Sequence, residues 1–189
     1  FGKMSLITWN DYFVTGVDII DEQHRWLIEL INRAAPVLVL PYATSHQAAD
    51  ELLDRLTEYA VFHFNTEDQL MAEHAIDPRH SQHHQQSHGE FAARVGEMRQ
   101  RYEEVGDISG GELLTFLANW LVFHILSDDQ VLTRQIKAIR TGENPEAAFD
   151  KAEGKSSDRP QRNARGAALY RHQGMLQLED GSDVIDVSI

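Results

Sequence analysis

The chain contains no cysteine among its 189 residues. Without thiols it can form neither disulfide bonds nor cysteine-ligated iron–sulfur or zinc sites, and it has no thiol nucleophile. It also shows no sign of an oxidising compartment, because disulfide bonds are the usual mark of one. A metal site in this protein must therefore be built from nitrogen and oxygen donors.

Positive charge and long apolar runs are also scarce. Only 17 basic side chains accompany 30 acidic ones, and the formal net charge of −13 disfavours binding to nucleic-acid phosphates or anionic membrane surfaces. The sequence has no run of about 18 apolar residues that would predict a membrane-spanning helix. Its N-terminus lacks the basic and apolar regions of a secretory signal. We expect a cytoplasmic protein with no nucleic-acid partner and no membrane association.

Four segments carry apolar residues every three or four positions, as amphipathic helices do. The first is predicted to start at residues 18–21, the second and third at the N-cap residues Thr44 and Asp77, and the fourth after residues 109–111 (Ser-Gly-Gly). Thr44 and Gln47 have the spacing of a capping box. Because long helices joined by short connections become antiparallel neighbours, the sequence predicts an all-α fold, an up-down-up-down four-helix bundle.

The character of the chain changes after the fourth helix. Residues 4–140 are predicted to form the helical domain, and residues 141–166 are polar and mixed in charge, which predicts a linker or disorder. Residues 167–189 form a C-terminal extension with two strand-like runs around an Asp-Gly pair, which predict a β-hairpin. A lone hairpin is marginally stable in water, so we expect it to dock or to belong to a larger domain.

Each predicted helix directs at least one imidazole toward the bundle interior: His24, His63, the pair His84 and His88, and His124. Glu67 follows His63 by four residues and shares its helix face. Burying so many polar groups is costly unless something satisfies them, and metal ions would do so. Imidazole and carboxylate donors suit iron, manganese, copper or zinc. Five imidazoles favour two carboxylate-bridged ions over one ion with an open position.

The remaining histidines have a simpler interpretation, because a single histidine at helical spacing is usually a surface residue. The residues expected at the surface are His46, His74, His80, His83 and His172. His80 leaves an alternative open, since it forms one stripe with His84 and His88 at intervals of four residues. Spacing alone does not decide which adjacent pair of that stripe binds metal.

Four segments, one on each predicted helix, match the helix signatures of hemerythrins in order and spacing. They are DEQHRWL (21–27), HFNTEDQLM (63–71), HHQQSHGEF (83–91) and WLVFHILSDD (120–129), and they follow Trp9. Through these segments, residues 6–140 resemble the hemerythrin family, in particular bacteriohemerythrins. The resemblance implies a non-haem di-iron centre that binds dioxygen reversibly. It also implies that the protein is not an enzyme.

The resemblance also implies the ligand set. One iron would be held by His84, His88 and His124 and the other by His24 and His63, with Glu67, Asp129 and an oxo or hydroxo group as bridges. Phe91 places the ligand pair at His84 and His88 rather than at His80. The family's spacing selects Asp129, although a straight helix would direct Asp128 to that place. A π-bulge near residues 125–128 would reconcile the two.

The iron with two imidazoles would keep one vacant position, where the resemblance implies that dioxygen binds as a hydroperoxide. The residues that match the family's apolar oxygen pocket are Leu27, Phe64, Trp120, Leu121 and Ile125, and all five also suit an ordinary bundle core. The sequence shows no general acid, general base or nucleophile beside the vacant position. This favours oxygen storage, delivery or sensing over oxygen activation.

Two further functions are compatible with the sequence. A sensor of oxygen, redox state or nitric oxide would signal through the C-terminal extension to a protein partner or a fused signalling domain. Residues 159–189 resemble the opening of a PilZ domain, which binds cyclic di-GMP, although Arg159, Arg162 and Arg165 depart from that family's arginine spacing. An oxidoreductase acting on peroxide or nitric oxide would use the same two irons.

Overall fold

The computed structural model describes residues 5–157, 169–172, 175–178 and 183–186. Its helices are α1 (Asp18–Leu38), α2 (Tyr42–Glu73), α3 (Pro78–Gln100), α4 (Gly110–His124), α5 (Gln130–Arg140) and α6 (Pro145–Ser157). A π-helical turn, Arg101–Val105, extends α3, and a second one, Ile125–Asp129, joins α4 to α5. In the PilZ-like segment, Arg159, Arg162 and Arg165 lie outside the described residues.

The predicted four-helix bundle is confirmed. Helix α1 packs against α2 and α4, and α3 packs against the same two helices, so the four form a closed bundle. Its fourth member is the continuous helical segment Gly110–Arg140. By length and composition this segment could also cross a membrane, but half of its most apolar stretch is buried inside the bundle, as in a core helix of a globular protein.

Of the two predicted caps, one is confirmed and one is wrong. Asp77 accepts a hydrogen bond from the backbone N–H of Arg79, with Pro78 at the first helical position. The predicted box at Thr44 is wrong: the N-cap of α2 is Pro41, three residues earlier, and the Thr44 hydroxyl donates to the carbonyl of Pro41 instead. The capping box in the structure lies at the start of α4, where Ser109 is the N-cap and Glu112 completes the box.

Apolar side chains form two clusters at different levels of the bundle. The larger includes Leu27 and Ile28 of α1, Leu53 of α2 and Leu113 of α4. The smaller lies at the other end and contains Val17, Ile20, Met71, Ile76, Leu132 and Ile136. Along α1 and α2, the predicted metal ligands fall between the residues of these two clusters. The packing therefore places a polar layer between two apolar ones.

The predicted polar linker is partly helical, which the sequence interpretation missed. Asn144 caps α6 by accepting from the N–H of Ala147, and Pro145 occupies its first position. Ala148 and Ala152, one turn apart, are both buried where α6 packs on α5. Small buried side chains let the two helices approach closely, so a segment poor in large apolar residues still docks. The division of the chain at residues 140 and 166 stays a prediction.

The C-terminal extension contains strands. Met175–Leu178 pairs antiparallel with Asp183–Asp186, which confirms the predicted hairpin. A further strand, Leu169–His172, pairs antiparallel with Met175–Leu178 on its other edge, so the described segments form a sheet in sequence order. The Asp-Gly pair between the hairpin strands lies outside the described residues.

Candidate metal centre

The seven predicted ligand side chains meet in the polar layer. All seven are buried: His24, His63, Glu67, His84, His88, His124 and Asp129. Their donor atoms form two groups in which all atoms lie within 4.8 Å of one another. One group contains His84, His88 and His124, the other contains His24 and His63, and Glu67 and Asp129 belong to both. Metal binding by these residues stays a prediction, but their assembly in space matches it.

Glu67 directs one oxygen to each group. Its Oε1 lies 2.6 Å from Nε2 of His63, while its Oε2 lies 2.5 Å from Nε2 of His84. Oε2 also lies 3.5 Å from Nε2 of His88. Because the two oxygens face different imidazoles, this carboxylate has the arrangement of a bridge between two ions.

Asp129 divides its oxygens in the same way. Its Oδ2 lies 2.8 Å from Nε2 of His24. Its Oδ1 lies 3.0 Å from Nε2 of His124 and 3.2 Å from Nε2 of His84. Asp129 therefore faces the same two sets of imidazoles as Glu67.

Several of these buried atoms have no hydrogen-bond partner, although they lie close to one another. They are both ring nitrogens of His24, Nε2 of His63, Oε1 of Glu67 and both carboxylate oxygens of Asp129. Unsatisfied buried nitrogen and oxygen atoms are costly, and coordination to a cation removes that cost. The donor set is imidazole and carboxylate without sulfur, which suits iron. The residues present therefore fit a metal centre.

The π-helical turn explains why Asp129, and not Asp128, faces this centre. A π turn contains more residues than an α turn, so it carries the fifth residue after His124 to the face that the fourth would otherwise occupy. The predicted local widening of the helix is confirmed. Asp128 lies instead toward the surface, where its Oδ1 is 3.2 Å from Nε2 of exposed His83.

Without bound metal, the two carboxylates draw protons onto the imidazoles around them. Burial alone would lower the pKa values of His24 and His84, but the nearby carboxylates of Asp129 and Glu67 raise them to about 9 and about 10. The pKa of His124 likewise rises to about 9 against the effect of burial, mainly through Asp129. In return, the imidazoles hold the pKa of each of these two carboxyl groups well below its usual range, although burial acts in the opposite direction.

His80 is not the surface residue that the sequence suggested. It is only 3% exposed, and its Nε2 lies 2.9 Å from Nδ1 of His84. Burial, followed by the charge of His84, lowers the pKa of His80 to about 3, so this imidazole is neutral. His80 belongs to neither group of candidate ligands. The prediction that His84 and His88, and not His80, supply the ligand pair of this helix agrees with that grouping.

The other histidines outside the ligand groups follow the expectation more closely. His46 and His83 are exposed, and His74 is half-buried with its Nδ1 donating to the carbonyl of Leu70 at 2.8 Å. The side chain of His172 lies outside the described part of the structure.

Three ligand histidines have outer hydrogen-bonding or charged partners that the sequence interpretation missed. Nδ1 of His63 donates to Oε1 of Gln23 at 2.7 Å, and Gln23 is held in turn by Thr66. Nδ1 of His124 lies 3.4 Å from Asp128. Two sequence features hinted at these partners: Gln23 directly precedes His24, and His80 lies four residues before His84. Neither feature distinguishes a hydrogen-bond partner of a ligand from a surface residue.

The predicted oxygen-pocket residues separate into two kinds. Leu27, Leu121 and Ile125 are buried in the larger apolar cluster. Phe64 stacks on His88 at 3.8 Å and Trp120 on His124 at 4.4 Å, so both aromatic rings cover the three-histidine group. A role in oxygen binding stays a prediction for all five. The two aromatic rings lie beside the three-histidine group, whose ion is expected to have no vacant position for oxygen.

A helical bundle whose interior holds five imidazoles and two shared carboxylates defines a non-haem metal-binding protein. Residues 15–136 match the model of the hemerythrin HHE cation binding domain. The chain belongs to the hemerythrin family. Membership of this family implies iron binding and supports a non-haem, oxygen-binding protein, a class whose members are generally not enzymes.

Curated relatives agree with the family assignment. The chain is 37% identical over 135 residues to a bacteriohemerythrin of Stenotrophomonas maltophilia, covering 71% of this chain and 84% of that protein. It is 32% identical over 151 residues to a bacteriohemerythrin of Pseudomonas aeruginosa, covering 80% and 92%. A bacteriohemerythrin of Clostridium acetobutylicum is 30% identical over 129 residues, covering 66% and 97%. No solved structure is a significant match to this chain.

Proposed function

We propose that this protein binds dioxygen reversibly at a centre of two iron ions and thereby stores, delivers or reports oxygen. The observation that carries the proposal is the pair of ligand groups that share Glu67 and Asp129. A single-ion site would need no carboxylate whose two oxygens face opposite sets of imidazoles. The geometry thus supports two ions per chain, and the likeness to hemerythrins adds an oxo or hydroxo group between them.

The two groups differ in how many positions they fill. His84, His88 and His124, with one oxygen from each of the two carboxylates and the small bridge, would fill all positions of a six-coordinate ion. The group of His24 and His63 supplies one imidazole fewer, so an ion held there would keep one position for a small diatomic ligand. Two ferrous ions held here would supply the two electrons that dioxygen takes up on binding and returns on release.

The chain's own contribution is to hold these donors still and to keep water away. Gln23 fixes the ring of His63 from outside the group. The apolar clusters above and below the layer exclude solvent, and the aromatic rings of Phe64 and Trp120 cover His88 and His124. A dry site favours release of intact dioxygen, because water and protons promote loss of a reduced form.

An optical titration with iron quantitation tests this proposal. Full-length protein loaded anaerobically with ferrous iron should contain two irons per chain, develop a visible absorption band under air and lose the band under vacuum. A Glu67→Ala variant provides the control, since it lacks a ligand common to both groups. Irreversible oxidation to a ferric form within seconds would contradict a carrier role, and one iron per chain would contradict the shared centre.

A sensory role is the second candidate, and the docking of α6 favours it. Arg79, at the start of α3, stacks over Phe149 of α6 at 4.2 Å and pairs with Asp150 at 3.3 Å. Arg79 directly precedes His80, the partner of a ligand histidine, so α6 connects the site layer to the C-terminal extension. Hydrogen exchange of α6 should then differ between the oxygenated and the deoxygenated ferrous forms, whereas equal exchange would remove this candidate.

A further inference from the structure

We propose that His80 is a positioning residue of the metal centre: it accepts a hydrogen bond from Nδ1–H of His84 and thereby directs the other ring nitrogen of His84 to the metal. This inference rests on the proposed function, because it assigns an outer partner to one of the proposed ligands. It adds a residue that belongs to neither group of metal-binding side chains.

The geometry gives the two nitrogens of His84 separate partners. Nδ1 lies 2.9 Å from Nε2 of His80, while Nε2 lies 2.5 Å from Oε2 of Glu67. A metal ion needs the unprotonated lone pair of the nitrogen that it binds, so the remaining proton of a neutral imidazole must be on the other nitrogen. A hydrogen-bond acceptor at Nδ1 favours that tautomer.

His80 must act as the acceptor of this bond when metal is bound. With metal on Nε2 of His84, the proton of the neutral ring is on Nδ1, so Nδ1 can only donate. His80 is buried and its Nε2 lies 2.9 Å from that Nδ1, so Nε2 of His80 is the nitrogen placed to accept the bond.

The chemical nature of this partner distinguishes His84 from the other ligands. His63 donates to the neutral amide of Gln23, and His124 faces the carboxylate of Asp128. A neutral imidazole at position 80 orients the ring of His84 without adding a negative charge beside it. A carboxylate there would make His84 a stronger donor and would favour ferric iron.

The test compares wild-type protein with His80→Leu and His80→Gln, all as full-length chains loaded with ferrous iron. Leu has no acceptor, whereas the side-chain oxygen of Gln can take the place of Nε2. Release of iron to a ferrous chelator should be about 10- to 100-fold faster for His80→Leu, as expected for loss of an outer partner. His80→Gln should restore a rate near that of the wild type, and exposed His46→Leu should leave the rate unchanged.

A measurement on the unmutated chain keeps the inference independent of folding in the variants. In histidine-selective nitrogen NMR of the wild-type protein loaded with diamagnetic zinc, Nε2 of His80 should be unprotonated and Nδ1 of His84 protonated. The opposite pattern would overturn the inference.

Other outcomes separate this inference from the proposed function. Equal chelator release from wild type and His80→Leu would overturn the inference alone. Stoichiometric loss of one iron in both His80→Leu and His80→Gln would make His80 a ligand and would also overturn it. A wild-type protein that binds no iron would contradict the proposed function itself.

Discussion

At the scale of single residues, the centre depends most on the two carboxylates that serve both ligand groups. Glu67 and Asp129 are completely buried, and each oxygen faces an imidazole rather than a lysine or arginine side chain. An uncompensated buried carboxylate is costly, so the surrounding imidazoles or a bound cation must compensate its charge. Removing one carboxylate therefore affects every other member of the layer.

Replacing Asp128 and Asp129 one at a time should show which of them binds metal and which only contacts a ligand histidine. Asp129→Ala should reduce bound iron from two ions per chain to nearly none, because Asp129 belongs to both groups. Asp128→Ala should keep both irons and release them about tenfold faster, since Asp128 only approaches Nδ1 of His124. Iron quantitation after desalting measures both effects. Loss of both irons in Asp128→Ala with retention in Asp129→Ala would show that the assignment is reversed.

Metal binding should release protons and strengthen as the pH rises. The pKa values of His24, His84 and His124 are about 9, about 10 and about 9 in the metal-free protein, so all three are protonated at neutral pH. Each must lose the proton on Nε2 to bind metal, so the imidazoles release about three protons per chain, and water that becomes a hydroxo bridge would release about one more. Calorimetry of metal binding in two buffers with different ionisation enthalpies measures this number. Buffer-independent heats would contradict the raised pKa values.

At the scale of elements, the π-helical turn in the fourth bundle helix positions one ligand. The turn Ile125–Asp129 contains one residue more than α geometry needs, and the hydroxyl of Ser127 donates to the carbonyl of Phe123 at 2.5 Å. This side-chain bond helps to satisfy the backbone that the wide turn disturbs. The helices on either side remain in register with the bundle core.

Changing the length of this turn gives opposite expectations for deletion and insertion. Deleting Ser127 should convert the π turn to α geometry with Asp129 four residues after His124, so the ligand keeps its face and the iron content is retained. Inserting one alanine after Ser127 should rotate Asp129 by about 100° and abolish iron binding. Far-UV circular dichroism checks helicity, and iron quantitation checks the site. Loss of iron on deletion would mean that the π turn itself is required.

The contact between α1 and α4 depends on a glycine. A Cβ atom on Gly110 would lie 1.9 Å from the backbone oxygen of Leu38, whereas one on Gly89 would meet nothing within 4 Å. Gly110→Ala should therefore destabilise the protein by about 1–3 kcal/mol, as overpacking does. Gly89→Ala should stabilise it by about 0.5–1 kcal/mol, because alanine is the better helix former. Urea unfolding of both variants measures the difference, and equal midpoints would contradict the close helix contact.

At the scale of the whole molecule, a polar layer divides an otherwise apolar core. The smaller cluster at one end and the larger at the other each stabilise the bundle, while the layer between them holds orphaned donor atoms. In the metal-free protein these buried polar atoms therefore lower the free energy of unfolding, and metal binding should restore it.

Iron should stabilise the whole bundle. Because metal binds the assembled layer and not the unfolded chain, saturation at about 1,000 times Kd adds about 4 kcal/mol to the free energy of unfolding. Thermal unfolding of iron-loaded and iron-free protein should therefore give a higher Tm for the loaded form. The Glu67→Ala variant should show no such increase, and an equal increase there would place the stabilising iron elsewhere.

Much of this architecture could be read from local patterns. Helical periodicity and the cap at Asp77 predicted the four helices, since these signals act within one or two turns. The missed features depend on neighbours distant in sequence. The helix Pro145–Ser157 exists because two alanines pack on α5, and His80 is buried because other helices cover it.

The sequence by itself determined the bundle, the absence of sulfur ligands and a set of inward-facing histidines, because these follow from composition and helical spacing. Only the tertiary structure decided that Glu67 and Asp129 each face two sets of imidazoles, and that Gln23, His80 and Asp128 lie next to ligands. These relations join residues on different turns and helices at distances near 3 Å. Such distances result from packing of the complete fold, which no local pattern specifies.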